Sequence, residues 1–164
     1  MTSNDIQHLM PPKTKLRDPA AEIAFGALPD LIGYQLRLAQ IAIFRDFAQA
    51  LGRYEISPGL FGALVIIDAN PGLKQTELAR ATHLDRSTVV SLVDNLERRT
   101  LVERRSATSD RRSNALQLTP TGKTLLKKLQ RLVTEHEQRL AANLSEKEQF
   151  TLVKLLEKIF PEYR

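Results

Sequence analysis

The 164 residues include no cysteine, no tryptophan and only seven glycines. Without thiols the chain cannot be a disulfide scaffold, a cysteine-ligated zinc module or a thiol redox sensor. It has no glycine-rich phosphate loop, no dinucleotide-binding turn, no metal-binding helix motif and no recognisable nucleophile setting. No enzyme is therefore expected, and no cofactor. No stretch approaches the ~20 apolar residues of a membrane span. The polar start, MTSNDIQHLMPPKTKLRDPA, lacks the apolar core of a secretory signal. The expectation is a cytoplasmic protein with no membrane attachment. His8, His83 and His136 are not spaced as metal ligands. His136 lies on an apolar helical face, where a core or interface role is the expectation.

What the chain does have is positive charge. The net charge is +5, which permits a polyanionic partner. Six arginines (98, 99, 104, 105, 111 and 112) face only Glu103 and Asp110, a balance of +4 over fifteen residues. Such a run fits a solvated loop, or a loop that grips phosphate beside a DNA-reading helix.

Periodicity places that run. Residues 1–20, with Pro11, Pro12 and Pro19, read as a flexible arm ahead of a single domain over 21–164. Apolar residues recur at helical spacing from Leu31 to Leu51, with Pro29 and Asp30 at the start and Gly52 at the end. Ser57-Pro58 opens a second helix, expected to bury Phe61, Leu64, Val65 and Ile67, and Asn70-Pro71-Gly72 stops it. A short third helix turns inward at Leu78 and Ala79. Asp85 caps a fourth, from Arg86 to Arg99, whose buried stripe is Val89, Leu92, Val93 and Leu96. That is helix-turn-helix spacing. The strands LVERRS (101–106) and SNALQL (113–118) flank TSDRR as a two-stranded wing. Thr119-Pro120 begins a long helix running to about Asn143. A capping box at Ser145 and Glu148 begins the last helix, which carries Leu152, Val153, Leu155, Leu156, Ile159 and Phe160. The apolar surface of these last two helices exceeds what a thin winged-helix core covers. A partner subunit, most simply an identical one, is expected.

With these pieces in order, QTELARATHLDRSTVVSLVDNLERRTLVERR (75–105) and DRRSNALQLTPTG (110–122) resemble the helix-turn-helix, wing tip and following helix start of the MarR family of bacterial transcription factors. The resemblance extends over about residues 30–160. It implies a mainly α, winged-helix (α+β) fold of six helices with a two-stranded wing. The dimerisation helices would be about 28–52 and 119–164, and the DNA-binding lobe about 57–118. Two recognition helices would enter successive major grooves about 34 Å apart on a pseudo-palindromic duplex. Two positions depart from the family pattern: Thr100 where glycine is usual, and Lys74 where a Ser or Thr cap is usual.

Arg86, Ser87 and Thr88 occupy the first turn of the recognition helix, where side chains and the positive dipole end approach the groove. Arg86 suits either a guanine edge or a phosphate, and Ser87 and Thr88 suit either DNA or extra capping. Ser91 and Asn95 are further candidates along the exposed face. On the wing, the resemblance implies that Asp110 orients an arginine while Arg111 or Arg112 enters the minor groove.

The family commonly responds to small anionic, often aromatic, ligands held between its dimerisation helices and DNA lobes. In LPDLIGYQLRLAQIAIFRDF (28–47), Tyr34, Phe44, Arg37 and Arg45 suit an aromatic carboxylate or its coenzyme A thioester, though aromatics at helical spacing also fit a plain core. The IGYQLRLAQ segment (32–40) is similar to family members linked to aromatic-acid catabolism. The expected function is a homodimeric, sequence-specific repressor released by such an effector. The alternatives are a ligand-independent or architectural winged-helix DNA binder, or a winged helix that contacts protein.

Overall fold

The computed structural model describes residues 23–107 and 110–159, and for 106–107 and 110–114 the backbone alone. The N-terminal arm, His8 and Phe160 lie outside the described residues. The chain falls into two compact units divided between Arg45 and Asp46.

In the first unit, Pro29 sits in a 3₁₀ turn over Leu28–Asp30, and the extended Leu31 separates that turn from α1 (Ile32–Leu51). The helix therefore begins two residues after Asp30, the expected start. The turn is tied to it by the Gln35 side-chain amide, which donates to the Pro29 carbonyl at 2.6 Å, and by the Phe25 and Tyr34 rings, 6.5 Å apart.

The second unit contains the end of α1, then α2 (Pro58–Ala69), β1 (Leu73–Lys74), α3 (Gln75–Thr82), α4 (Arg86–Arg98), β2 (Val102–Ala107), β3 (Asp110–Leu118), α5 (Pro120–Leu140) and α6 (Glu146–Ile159). Local chemistry sets most of these boundaries. Ser57 Oγ accepts the Leu60 N–H at 3.2 Å and starts α2. Asn70 closes it by donating its side-chain amide to the Ile66 carbonyl. Ser145 and Glu148 form the expected reciprocal box, with the Ser145 N–H donating to the Glu148 carboxylate at 2.8 Å. Those bonds hold the Glu148 carboxyl below its ordinary pKa, the Ser145 hydroxyl contributing most. At Lys74 half of such a box suffices: the side chain cannot accept, but its N–H donates to the Glu77 carboxylate at 2.8 Å.

The wing hairpin β2–β3 gains a third strand, with β1 pairing antiparallel to β3 in the order β1-β3-β2. Two residues after a glycine carry no periodicity that a sequence could reveal. Leu116 of β3 stands opposite Leu73 on one side and Arg104 on the other. The backbone of Asp110–Arg112 belongs to β3, not to a loop. The core gathers Phe47 and Leu51 from α1, Leu64 and Ile67 from α2, Leu78 from α3, Val89, Val93 and Leu96 from α4, Leu101, Val102 and Leu116 around the sheet, and Leu126 and Leu129 from α5. In α2, Phe61 and Val65 are only half-buried, with Ala63 inside instead, and Leu92 of α4 is half-buried too. The inner stripe of α5 runs through Gly122, Leu126, Leu129 and His136.

His136 is buried in this core. Its Nδ1 lies 2.5 Å from the Asp46 carboxylate and its ring meets Phe47 edge-on at 5.5 Å. The hydrogen bonds from His136 and Arg139 lower the pKa of Asp46. This is the core role expected for His136.

Thr100, the first departure, does adopt the left-handed conformation, with φ 56°. It closes α4 in a paired turn: the Leu101 N–H donates to Leu96 O at 2.9 Å and the Thr100 N–H to Glu97 O at 2.8 Å. A β-branched residue there costs about 1–2 kcal/mol. Its hydroxyl offsets part of this by donating to the Arg99 carbonyl. Replacing Thr100 by glycine is therefore expected to stabilise the lobe by about 1 kcal/mol after glycine's own entropy cost, raising Tm by about 2–4 °C. A thermal unfolding curve moved the other way would show that the hydroxyl outweighs the strain.

Candidate nucleic-acid interface

The second helix of the helix-turn-helix, α4, is fixed by its start. Asp85 accepts three hydrogen bonds there: from Ser87 Oγ at 2.5 Å, Thr88 Oγ1 at 2.6 Å and the Thr88 N–H at 2.8 Å. The Ser87 and Thr88 hydroxyls, followed by the Thr88 amide, hold the Asp85 carboxyl far below the usual carboxylate range. Both hydroxyl protons are thus given to the cap, the second of the two roles the sequence allowed. The turn before α4 is made by His83 in the left-handed conformation, φ 54°.

Val89, Val93 and Leu96 anchor the inner face of α4 in the core. Arg86, Ser87, Thr88 and Ser91 are all exposed. Asn95 is not on that open face: it is half-buried, and its amide oxygen is closed off from solvent with no hydrogen-bond partner among the described residues. At 3.6 residues per turn, position 95 falls beside the Leu92–Leu96 edge of the buried stripe.

The arginine cluster divides into structural and open members. Arg99 donates to the carbonyls of Tyr54 at 2.6 Å and Glu55 at 2.9 Å, tying the end of α4 to the turn before α2. Glu55 needs that support, since its own φ is 51°. Arg104 on β2 forms ion pairs with Asp94, at 2.5 Å, and Glu97, joining the root of the wing to the recognition helix. Burial lowers the Arg104 pKa, but the two carboxylates outweigh it, so the guanidinium is held charged. Arg105 pairs with Glu103 at 2.6 Å. Arg86 and Arg98 are exposed and form no ion pair among the described residues. The backbone places Asp110, Arg111 and Arg112 at the distal end of β3; their side chains lie outside the described residues.

The effector candidates share one side of α1. Positions 34, 37, 41, 44 and 45 fall within one helical face, where Phe44 and Ile41 are 48% and 42% exposed and Arg37 and Arg45 are exposed. Tyr34 is half-buried against Phe25. Four expected residues are thus brought to one open face carrying both aromatic and cationic groups.

Comparison with known proteins fits this architecture. The family model described as the MarR family matches residues 56–113. A protein named as the transcriptional regulatory protein for the hcr operon of Thauera aromatica is 39% identical over 141 residues, 85% of each chain. The chain belongs to the MarR family. Among solved structures, the repressor CouR bound to a 23-mer DNA duplex is 38% identical with a TM-score of 0.80, over 85% of this chain and 99% of that one. CouR bound to p-coumaroyl-CoA is 34% identical with a TM-score of 0.78, over 84% and 97%. The protein is a MarR-type transcriptional regulator. Among the described residues of this MarR-family chain, no single helix is long and apolar enough to cross a membrane.

One exposed residue on α4 escaped the sequence reading. Val90 stands 45% exposed between Arg86 and Asp94. The sequence reading puts Val89 in the buried stripe and gives the outward-facing Val90 no role.

Proposed function

We propose that this regulator is a homodimeric, sequence-specific repressor of a pseudo-palindromic operator, released by a small aromatic acid or its coenzyme A thioester. The observation that carries the DNA assignment is the open first turn of α4, with Arg86, Ser87, Thr88 and Ser91 exposed on a helix locked from behind by the core and from the side by Arg104. Asp110, Arg111 and Arg112 on the wing complete the contact set, and Asn95, half-buried on α4, is not part of the open face.

Dimerisation is supported by α6. None of its residues is buried, while Phe150, Leu152, Val153 and Leu155 are 65%, 46%, 54% and 53% exposed. A helix with that much uncovered apolar surface gains by packing on a second copy. The effector reading rests on Tyr34, Arg37, Phe44 and Arg45 together on α1, and on likeness to a repressor whose structure holds p-coumaroyl-CoA. Aromatic surface beside guanidinium suits an aromatic acyl group with anionic substituents. Release would follow from population shift, the ligand binding the DNA-free conformer more tightly than the bound one.

Fluorescence anisotropy on a duplex from the gene's own upstream region tests this. Binding is expected to survive excess unrelated DNA and to be lost on adding p-coumaroyl-CoA but not free coenzyme A. Competition by any DNA equally well would replace the repressor with an architectural binder. Selective binding that no aromatic acid or thioester alters would remove the effector.

A further inference from the structure

Fourteen large apolar residues are exposed among the described residues, and thirteen of them lie at 23–44 or 144–159. Val90 alone lies between. From α2 through β3, every other large apolar side chain described is turned partly or wholly inward. That exception stands on the outer face of the recognition helix, one turn after Arg86. A single exposed valine is unremarkable on most surfaces; here its neighbours make it informative.

The polar groups around Val90 are largely engaged. Ser87 and Thr88 have given their hydroxyl protons to Asp85, and Asp94 is held by Arg104. Base-edge recognition along the exposed face of α4 thus falls to Arg86, Ser91 and the two methyl groups of Val90. In the major groove, one feature that an aliphatic side chain can distinguish is the 5-methyl group of thymine. We propose that Val90 is a specificity-determining residue that packs against a thymine methyl in each half-site of the operator. This rests on the assignment of α4 as the DNA-reading helix.

The test begins with a duplex selected by the full-length protein from a randomised library. Each thymine of the half-site is then replaced in turn by uracil, which keeps the hydrogen-bonding edge and removes only the methyl. Wild-type protein is expected to lose about fourfold in affinity per half-site at one thymine, the worth of one methyl taken out of water. Val90→Ala should bind the parent duplex about as weakly as wild type binds the uracil duplex, and should be indifferent to uracil at that position alone. Because Val90 is exposed, the variant removes no core contact, and circular dichroism would confirm that it is folded. Wild-type indifference to uracil everywhere, undiminished uracil sensitivity in Val90→Ala, or a selected half-site without thymine would each overturn the proposal. Failure to select any sequence would instead remove the DNA-reading role of α4, and this inference with it.

Discussion

Gly122→Ala is expected to cost about 3 kcal/mol or more and to lower Tm by about 6–12 °C, although helix propensity alone gives the opposite sign. In an ordinary helix interior, alanine is favoured over glycine by about 0.8–1 kcal/mol. Here a Cβ on residue 122 would sit 2.0 Å from the Leu101 carbonyl oxygen, 2.9 Å from its carbon and 3.2 Å from its Cα. All three obstacles are backbone, so no rotamer change relieves them. The start of α5 must retreat from the root of the wing. That retreat would break the hydrogen bonds holding the junction: Thr119 Oγ1 donating to the Thr100 carbonyl at 2.6 Å, the Thr119 N–H donating to Leu101 O at 3.1 Å, and the Gly122 N–H donating to Thr119 Oγ1 at 2.9 Å. Leu101 and Val102 are nearly fully buried at this point, so the loss spreads into the core. Thermal unfolding of the purified variant decides the matter. A Tm equal to or above wild type would mean that the junction is loose and that propensity wins.

The same junction illustrates what could be read in the sequence. Thr119-Pro120, Ser57-Pro58, Asp85 and Ser145 with Glu148 each mark a helix start through chemistry confined to three or four residues, and each acts as its composition suggests. The winged-helix order and the open first turn of α4 follow from the same local signals. Contacts between distant residues were not legible. Arg99 and Arg104 read as members of a basic run, solvated or phosphate-gripping, until folding set them against Tyr54 and Glu55, and against Asp94 and Glu97. Asn95 left its expected exposed position because it sits where a small change in helical phase decides between core and solvent. On α1 the sequence brought Tyr34, Arg37, Phe44 and Arg45 to one side.

Sorting the arginines changes where the salt-dependent part of binding should lie. With Arg99, Arg104 and Arg105 committed within the protein, the other arginines of α4 and the wing proposed to approach DNA are Arg86, Arg98, Arg111 and Arg112. Each phosphate contact releases condensed counterions and adds about 0.9 to the slope of log affinity against log salt. Replacing both Arg111 and Arg112 with alanine should therefore weaken binding to every duplex, selected or not, and reduce that slope by up to about two per lobe. Arg86→Ala should behave differently if it reads a base, costing about 1–3 kcal/mol chiefly on the selected sequence. Arg105→Ala is the control. It carries the same formal charge one strand away, but Glu103 neutralises it, and its removal should leave the slope nearly unchanged. Anisotropy titrations between roughly 50 and 200 mM salt separate these cases. If the double wing variant kept the wild-type slope while Arg105→Ala lost it, the wing tip would not be the phosphate grip and the contact would lie nearer the sheet. If all three variants flattened the slope equally, net charge rather than placement would govern binding, and the division between structural and open arginines would not extend to the complex.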